Sequence, residues 1–197
     1  MSSHLTTCTL DETSPIGRLT DNFKQEKTMK SCPRVLIVIG STSDANIIQG
    51  ACDQLKAFGI PYKMVVSSAH RTPERTASLA SKAEEEGIRV IIAGAGWSAG
   101  LPGALAAETT LPVIGVPIPS SVLLGMDAMM SMVQMPPGVP VATMAVGKGG
   151  AKNAAILATQ ILANEFGELK PILHEYKKGM AEKVVKNAEE TQETWLG

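Results

Sequence analysis

Arg34-Val35-Leu36-Ile37-Val38-Ile39-Gly40-Ser41-Thr42-Ser43-Asp44 is the stretch that decides the fold. Val35 to Ile39 form an unbroken apolar run of strand length, mostly β-branched, as expected of a strand buried on both faces. Gly40 permits a tight turn, and the hydroxyl-rich segment behind it leads into an amphipathic stretch. The same order recurs down the chain. Strands are expected at 34–39, 61–66, 89–93, 112–116 and 140–146, each nearly continuous in apolar residues, with helices at about 43–58, 73–86, 99–108, 121–133 and 150–164. Pro73 suits a first helical turn, and Pro136-Pro137-Gly138 must break the chain before the last strand. Crossovers of that length impose parallel pairing, so the fold class is α/β, a central parallel sheet sandwiched between helices. No repeat of 20 to 50 residues is present, which leaves ordinary βα units rather than a solenoid.

Composition narrows the function. The 197 residues carry 18 Lys and Arg against 19 Asp and Glu, so no whole-molecule field favours nucleic acid or an anionic membrane. Any phosphate ligand must be held by a local arrangement, and a small-molecule site is the expectation. Hydrophobic residues make up 44% and aromatics only 4%, which suits close packing of helices on a sheet. Cys8, Cys32 and Cys52 form no Cys-x-x-Cys pair and are read as reduced thiols of a cytoplasmic protein, with no disulfide framework and no zinc site. No apolar run approaches the roughly 18 to 20 residues that cross a bilayer.

The two ends read differently from the middle. Residues 1–33 are polar, include Asp11, Glu12 and Asp21, and are expected to be a disordered or loosely docked extension; a cleaved transit peptide competes poorly, because such peptides lack acidic residues. From Glu168 to Thr194 the chain is rich in Lys and Glu, with Leu169, Ile172, Leu173, Tyr176, Met180 and Val184 near helical spacing. That narrow stripe needs a partner surface on the same or a neighbouring subunit. Domain boundaries follow as 1–33, 34–166 and 167–197.

Three loops could carry chemistry. In the first, Ser41 and Ser43 can donate to an anion beside a helix N-terminus, and Asp44 can accept from ribose hydroxyls; simple capping of the helix is the competing explanation. In the second, Ser67-Ser68-Ala69-His70-Arg71-Thr72-Pro73, Ser68 and Arg71 can clamp phosphate oxygens and His70 is left for proton transfer. His4 and His174 are read as structural or solvated. The third, from Ala93 to Gly103, has four glycines in the ten positions after Ala93, so backbone can approach a ligand closely. Its glycine spacing misses Gly-x-Gly-x-x-Gly by one residue, and it follows the third strand rather than the first, which argues against a dinucleotide. Gly147-Lys148-Gly149-Gly150 likewise fails the P-loop pattern, with Ala142 and Gly149 at two of its required positions. Met126, Met129, Met130, Met132 and Met135 read as core filler, or else as an adaptable subunit or ligand surface.

Taken in order, Gly40-Ser41-x-Ser43-Asp44, Ser68-Ala69-His70-Arg71-Thr72-Pro73, Ala93-Gly94-Ala95-Gly96 with Leu101-Pro102-Gly103, Gly115-Val116-Pro117, Val133-Gln134-Met135-Pro136 and Asn153-Ala154-Ala155 resemble the class I phosphoribosylaminoimidazole carboxylase family of purine biosynthesis. The likeness covers about 34–164. It implies a three-layer flavodoxin-like subunit, a homo-octamer with C-terminal helices packing on neighbours, and no metal or organic cofactor. Bacterial members are N5-carboxyaminoimidazole ribonucleotide mutases, whose substrates are a ribotide and the carbon dioxide released from it. By position, Ser41, Ser43, Ser68 and Arg71 look like phosphate and ribotide binders, Asp44 like the ribose contact, His70 like the proton-transfer residue, and Ala95, Gly96 and Leu101 like further substrate contacts.

One departure stands out. Where the family usually reads Gly-Gly-Ala-Ala-His-Leu-Pro-Gly, this chain reads Gly96-Trp97-Ser98-Ala99-Gly100-Leu101-Pro102-Gly103, with Gly100 in place of a second histidine and a bulky Trp97 in the loop. An indole there could fill the space or stack on a ring. The same departure leaves open a carboxylase using free carbon dioxide, or a paralogue acting on another ribotide.

Overall fold

In the computed structural model the apolar runs become five parallel strands, β1 (Val35–Ile39), β2 (Tyr62–Val66), β3 (Val90–Gly96), β4 (Val113–Ile118) and β5 (Ala142–Thr143), in the order β2-β1-β3-β4-β5. The structure describes residues 32–195, with side chains through 191, so His4, Cys8 and the expected extension, apart from Cys32 and Pro33, lie outside the described residues. Among the described residues six helices connect and follow the strands: α1 (Ala45–Ala57), α2 (Pro73–Ser81), α3 (Leu101–Ala107), α4 (Met126–Val133), α5 (Lys148–Leu162) and α6 (Leu169–Trp195), with a 3₁₀ turn, Thr42–Asp44, opening α1.

Strand alternation builds a core on each side of the sheet. Val35, Ile37 and Ile39 of β1 point to the face covered by α1, α5 and the start of α6, where Ile48, Leu55 and Leu162 meet them. Leu36 and Val38 point to the other face, covered by α2, α3 and α4 through Ala80, Leu105 and Met132. Each such side chain contributes about 1.5–3 kcal/mol by leaving water. Ala151, Ala154, Ala155 and Ala158 give α5 a smooth face that lies close on the sheet and on α1. The result is the three-layer flavodoxin-like sandwich, with a long C-terminal helix.

Several expectations need correction. β2 is an edge strand, not one buried on both faces: Lys63, Met64 and Val66 are exposed, and only β1 pairs with it. β5 shrinks from the expected 140–146 to two residues paired with Ile114 and Gly115, because Pro140 has no amide hydrogen and the preceding prolines turn the chain. Helix α4 starts at Met126 rather than near 121, since Leu124 (φ 53°) and Gly125 (φ 89°) are left-handed and cannot continue a helix. Regular helix in α2 stops at Ser81, and 82–87 wind as turns that Gly87 (φ 87°) directs into β3. β3 runs on through Gly96, so the first part of the glycine tract is strand: a β-carbon at Gly94 would lie 2.7 Å from Ile48 Cδ1.

The methionines divide between both readings, with Met132 fully buried and Met126 and Met130 exposed. Helix α6 packs Leu169, Ile172, Leu173 and Tyr176 on its own subunit, where Tyr176 meets Phe58 edge-on at 5.2 Å. Beyond Tyr176 its described side chains, including Met180, Val184 and Val185, are exposed. His174 is exposed on the same helix, as a solvated residue would be.

Candidate active site

The chain leaves β1 toward β2 on one side and returns to β3 on the other, and the loops that follow these strands diverge at that switch. Ligands of open parallel sheets sit in the crevice this creates at the carboxyl ends of the strands. Here the crevice is a cavity of about 470 Å³, within the range of small-molecule sites. Ser41, Ser43, Asp44, Ser68, His70, Arg71, Ala95, Gly96 and Leu101, assigned from the sequence, all line it.

The first loop caps the 3₁₀ turn that opens α1 and faces the cavity at once. Ser41 Oγ accepts from the Ser43 amide at 3.4 Å and from the Ser43 hydroxyl at 3.0 Å, while the Ser41 amide donates to Asp44 Oδ2 at 3.1 Å. Capping is therefore real, and it orients the hydroxyls rather than removing them from the site. Asp44 is only 6% exposed. Burial pushes its carboxyl above the usual range, opposed by the bonds from Ser41 and Ser43.

The second loop is knit by its own polar groups. Thr72 Oγ1 accepts from the Ser68 amide at 3.1 Å and donates to the Ser68 carbonyl at 3.0 Å, which fixes the turn that presents Ala69 and His70. Arg71 Nε donates to Ser68 Oγ at 3.3 Å, and its terminal nitrogen reaches the Gly40 carbonyl at 3.4 Å, tying the first two loops together. Beneath them, the hydroxyls of buried Ser67 and Thr76 lie 2.9 Å apart and anchor the loop to α2. Serine hydroxyls and a guanidinium around one cavity suit a phosphate or carboxylate, and the exposed His70 imidazole lines the same cavity.

The third loop brings no charge. A methyl group at Gly100 would lie 3.2 Å from His70 Nε2, so the departure from the family pattern falls directly beside the imidazole. Ser120, at the end of β4, closes the wall against Gly96, whose missing β-carbon would sit 2.7 Å from Ser120 Cβ.

A histidine, serine hydroxyls with a guanidinium, and a buried carboxylate thus surround one switch-point cavity. Over residues 34–183 the chain matches the sequence model of the AIR carboxylase family. It belongs to that family. It is 52% identical to the N5-carboxyaminoimidazole ribonucleotide mutase of Pyrococcus horikoshii over 172 residues, spanning 87% of this chain and 93% of the relative. Against the mutase of the same name from Escherichia coli it is 49% identical over 154 residues, 78% of this chain and 91% of the relative. Among solved structures, PurE of Treponema denticola aligns with a TM-score of 0.72 at 30% identity, covering 80% of this chain and 98% of that one.

In this member of the AIR carboxylase family, Ser120 is a lining residue that the sequence did not single out. A hydroxyl among Pro117, Pro119 and Ser121 looks like ordinary loop; the signal was its place at a strand end next to a Gly-terminated neighbour. Trp97 and Ser98 also line the cavity, both exposed.

Proposed function

We propose that this protein is an N5-carboxyaminoimidazole ribonucleotide mutase of purine biosynthesis, moving a carboxyl group from N5 of the ribotide to C4 of its imidazole ring. The observation that carries this is the meeting of His70 with the Ser68–Arg71 clamp and Asp44 in one cavity, in a chain about half identical to proteins that bear that name.

Ser41, Ser43, Ser68 and Arg71 bind the phosphate and the flanking ribotide oxygens, and Asp44 accepts from the ribose hydroxyls. Ala95, Gly96 and Leu101 shape the base-side wall. With the ribotide so fixed, the carbamate C–N bond breaks, N5 takes a proton from the His70 imidazolium, and carbon dioxide is released within the cavity. C4 then attacks the carbon dioxide, forming the new C–C bond, and neutral His70 removes the C4 proton. The proton given at N5 is recovered at C4, so the isomerisation is balanced and His70 ends as it began. An imidazole suits both halves because its charge changes near neutral pH.

Residues 34–166 carry this site and 167–197 serve assembly. A homo-octamer is proposed, supported by exposed apolar residues on α6 and on the segment before α4: Val184 is 68% exposed and Val122 93%. No described helix is long and apolar enough to cross a membrane. A cytoplasmic location is proposed from the thiol usage and the reaction.

The experiment is to incubate purified protein with N5-carboxyaminoimidazole ribonucleotide and follow formation of the C4 carboxylate. Conversion without ATP or added bicarbonate is expected; a folded, oligomeric protein that yields none would overturn the proposal.

A further inference from the structure

We propose that Trp97 is a substrate-contact residue, its indole stacking on the heteroaromatic ring of the bound ribotide and so setting the affinity for the base. The identity of the ring rests on the mutase function proposed above; the assignment of the contact goes beyond it.

The backbone supplies the first reason. Trp97 has φ 56°, in the left-handed region where a β-carbon crowds the following carbonyl, and Leu124 is the only other described non-glycine residue with a positive φ. A bulky aromatic side chain is among the least suited to that conformation. Such strain persists where the surroundings impose it, and it concentrates at ligand clamps. Here the surroundings do impose it. On one side Gly96 is held flush against Ser120, and on the other Ala99 is 2% exposed in the core and donates its amide to the Trp97 carbonyl at 2.9 Å.

The second reason is that burial does not offset the strain. Trp97 is 64% exposed and belongs to neither core cluster, yet it lines the cavity. An indole kept in an unfavourable backbone conformation and left mostly in water beside a ligand cavity gains its apolar contact when a ligand arrives.

Gly100 supplies the third. Its φ of −71° needs no glycine, so what it contributes is the missing side chain. A single methyl group there would lie 3.2 Å from His70 Nε2. With hydrogen alone at that position, the His70 imidazole lies close against the loop that carries Trp97, so a ring that reacts at His70 is brought near the indole. Offset stacking of an aromatic side chain on a nucleic-acid base changes affinity by roughly fivefold to a hundredfold.

The test uses the full chain in a Trp195→Phe background, leaving Trp97 as its only tryptophan. Indole fluorescence is followed on titration with 4-carboxy-5-aminoimidazole ribonucleotide and, separately, with ribose 5-phosphate, which lacks the ring. The ribotide should change the emission and ribose 5-phosphate should leave it nearly unchanged. Trp97→Ala should raise KM for the ribotide about tenfold with kcat altered less than twofold, leave ribose 5-phosphate affinity intact, and be largely rescued by Trp97→Phe. Trp97→Gly, compatible with φ 56°, should keep the fold and show the same rise in KM. An unchanged KM in Trp97→Ala, an equal loss of ribose 5-phosphate binding, or dissociation of the oligomer with unchanged ribotide affinity would each overturn the assignment. If wild-type protein converts the ribotide while Trp97→Ala behaves identically, only the Trp97 assignment falls. If the folded wild-type protein binds no ribotide, the mutase proposal falls with it.

Discussion

The loop after β2 and the loop after β3 face each other across the same cavity, and they are held in place by opposite means. In the first, side chains do the holding: Thr72 braces Ser68, Arg71 bridges Ser68 to Gly40, and Ser67 is pinned to Thr76 beneath. In the second, missing side chains do it. Gly96 admits Ser120, and Gly100 lets His70 Nε2 come close to the loop. The difference separates two ways of building a site. Polar groups that brace one another can present a reactive residue from an exposed loop, whereas a glycine tract makes the space into which that residue reaches. Damage to the first should appear in chemistry, and damage to the second in volume and packing.

The largest effect should come from the braced loop. His70→Asn keeps a polar side chain of similar reach but cannot shuttle the proton, so kcat should fall about 10²- to 10⁴-fold with ribotide binding retained, as read by kinetics and by calorimetric titration. Loss of binding in step with kcat would mean that His70 holds substrate instead of moving its proton.

The spatial loop should break differently. Gly96→Ala forces a β-carbon against Ser120, an overpacking expected to cost about 1–3 kcal/mol in chemical denaturation. Ser120→Gly in the same chain should recover most of it, so that the double-mutant cycle shows coupling between the two positions. Additive effects would mean that the contact does not carry the strain.

How far all this could be foreseen depends on where the physical signal lies. β1 and β3 were legible because both of their faces are apolar, and the cavity position followed from the carboxyl ends of parallel strands. β2 carries its own clue, since Lys63 in the middle of its run is the charge expected of an edge strand. The start of α4 was illegible because Leu124 gives no warning of a left-handed conformation. In the second loop Ser68, His70 and Arg71 declare their chemistry by residue type. The third loop declares only flexibility, and its meaning depends on what Gly96 and Gly100 approach, which no local pattern contains. The same holds for Ser120, whose place beside Gly96 exists only in the fold.

A smaller effect should come from Asp44, buried in the loop after β1 to which Arg71 ties the braced loop. Its carboxyl titrates above the usual range because burial disfavours the charge. The folded protein therefore holds this proton at a pH where the unfolded chain has lost it, and the contribution of Asp44 to stability falls as pH rises from the ordinary carboxylate value through the raised one. Asp44→Asn should thus be more stable at neutral pH, with the gain fading in acid below the ordinary carboxylate range, as followed by thermal unfolding across pH. The same variant should bind ribotide several-fold more weakly. A gain in stability that persists unchanged into acid would show that the carboxylate charge is not its source.

The most direct measurement follows the carboxyl group itself. N5-carboxyaminoimidazole ribonucleotide labelled with ¹³C in the carbamate is converted by wild-type protein in the presence of unlabelled bicarbonate, and the C4 carboxylate is examined. A mutase that traps its carbon dioxide between His70 and the glycine loop should deliver product with the label undiluted. Product carrying carbon from the bulk pool, or no product from folded protein, would contradict that account.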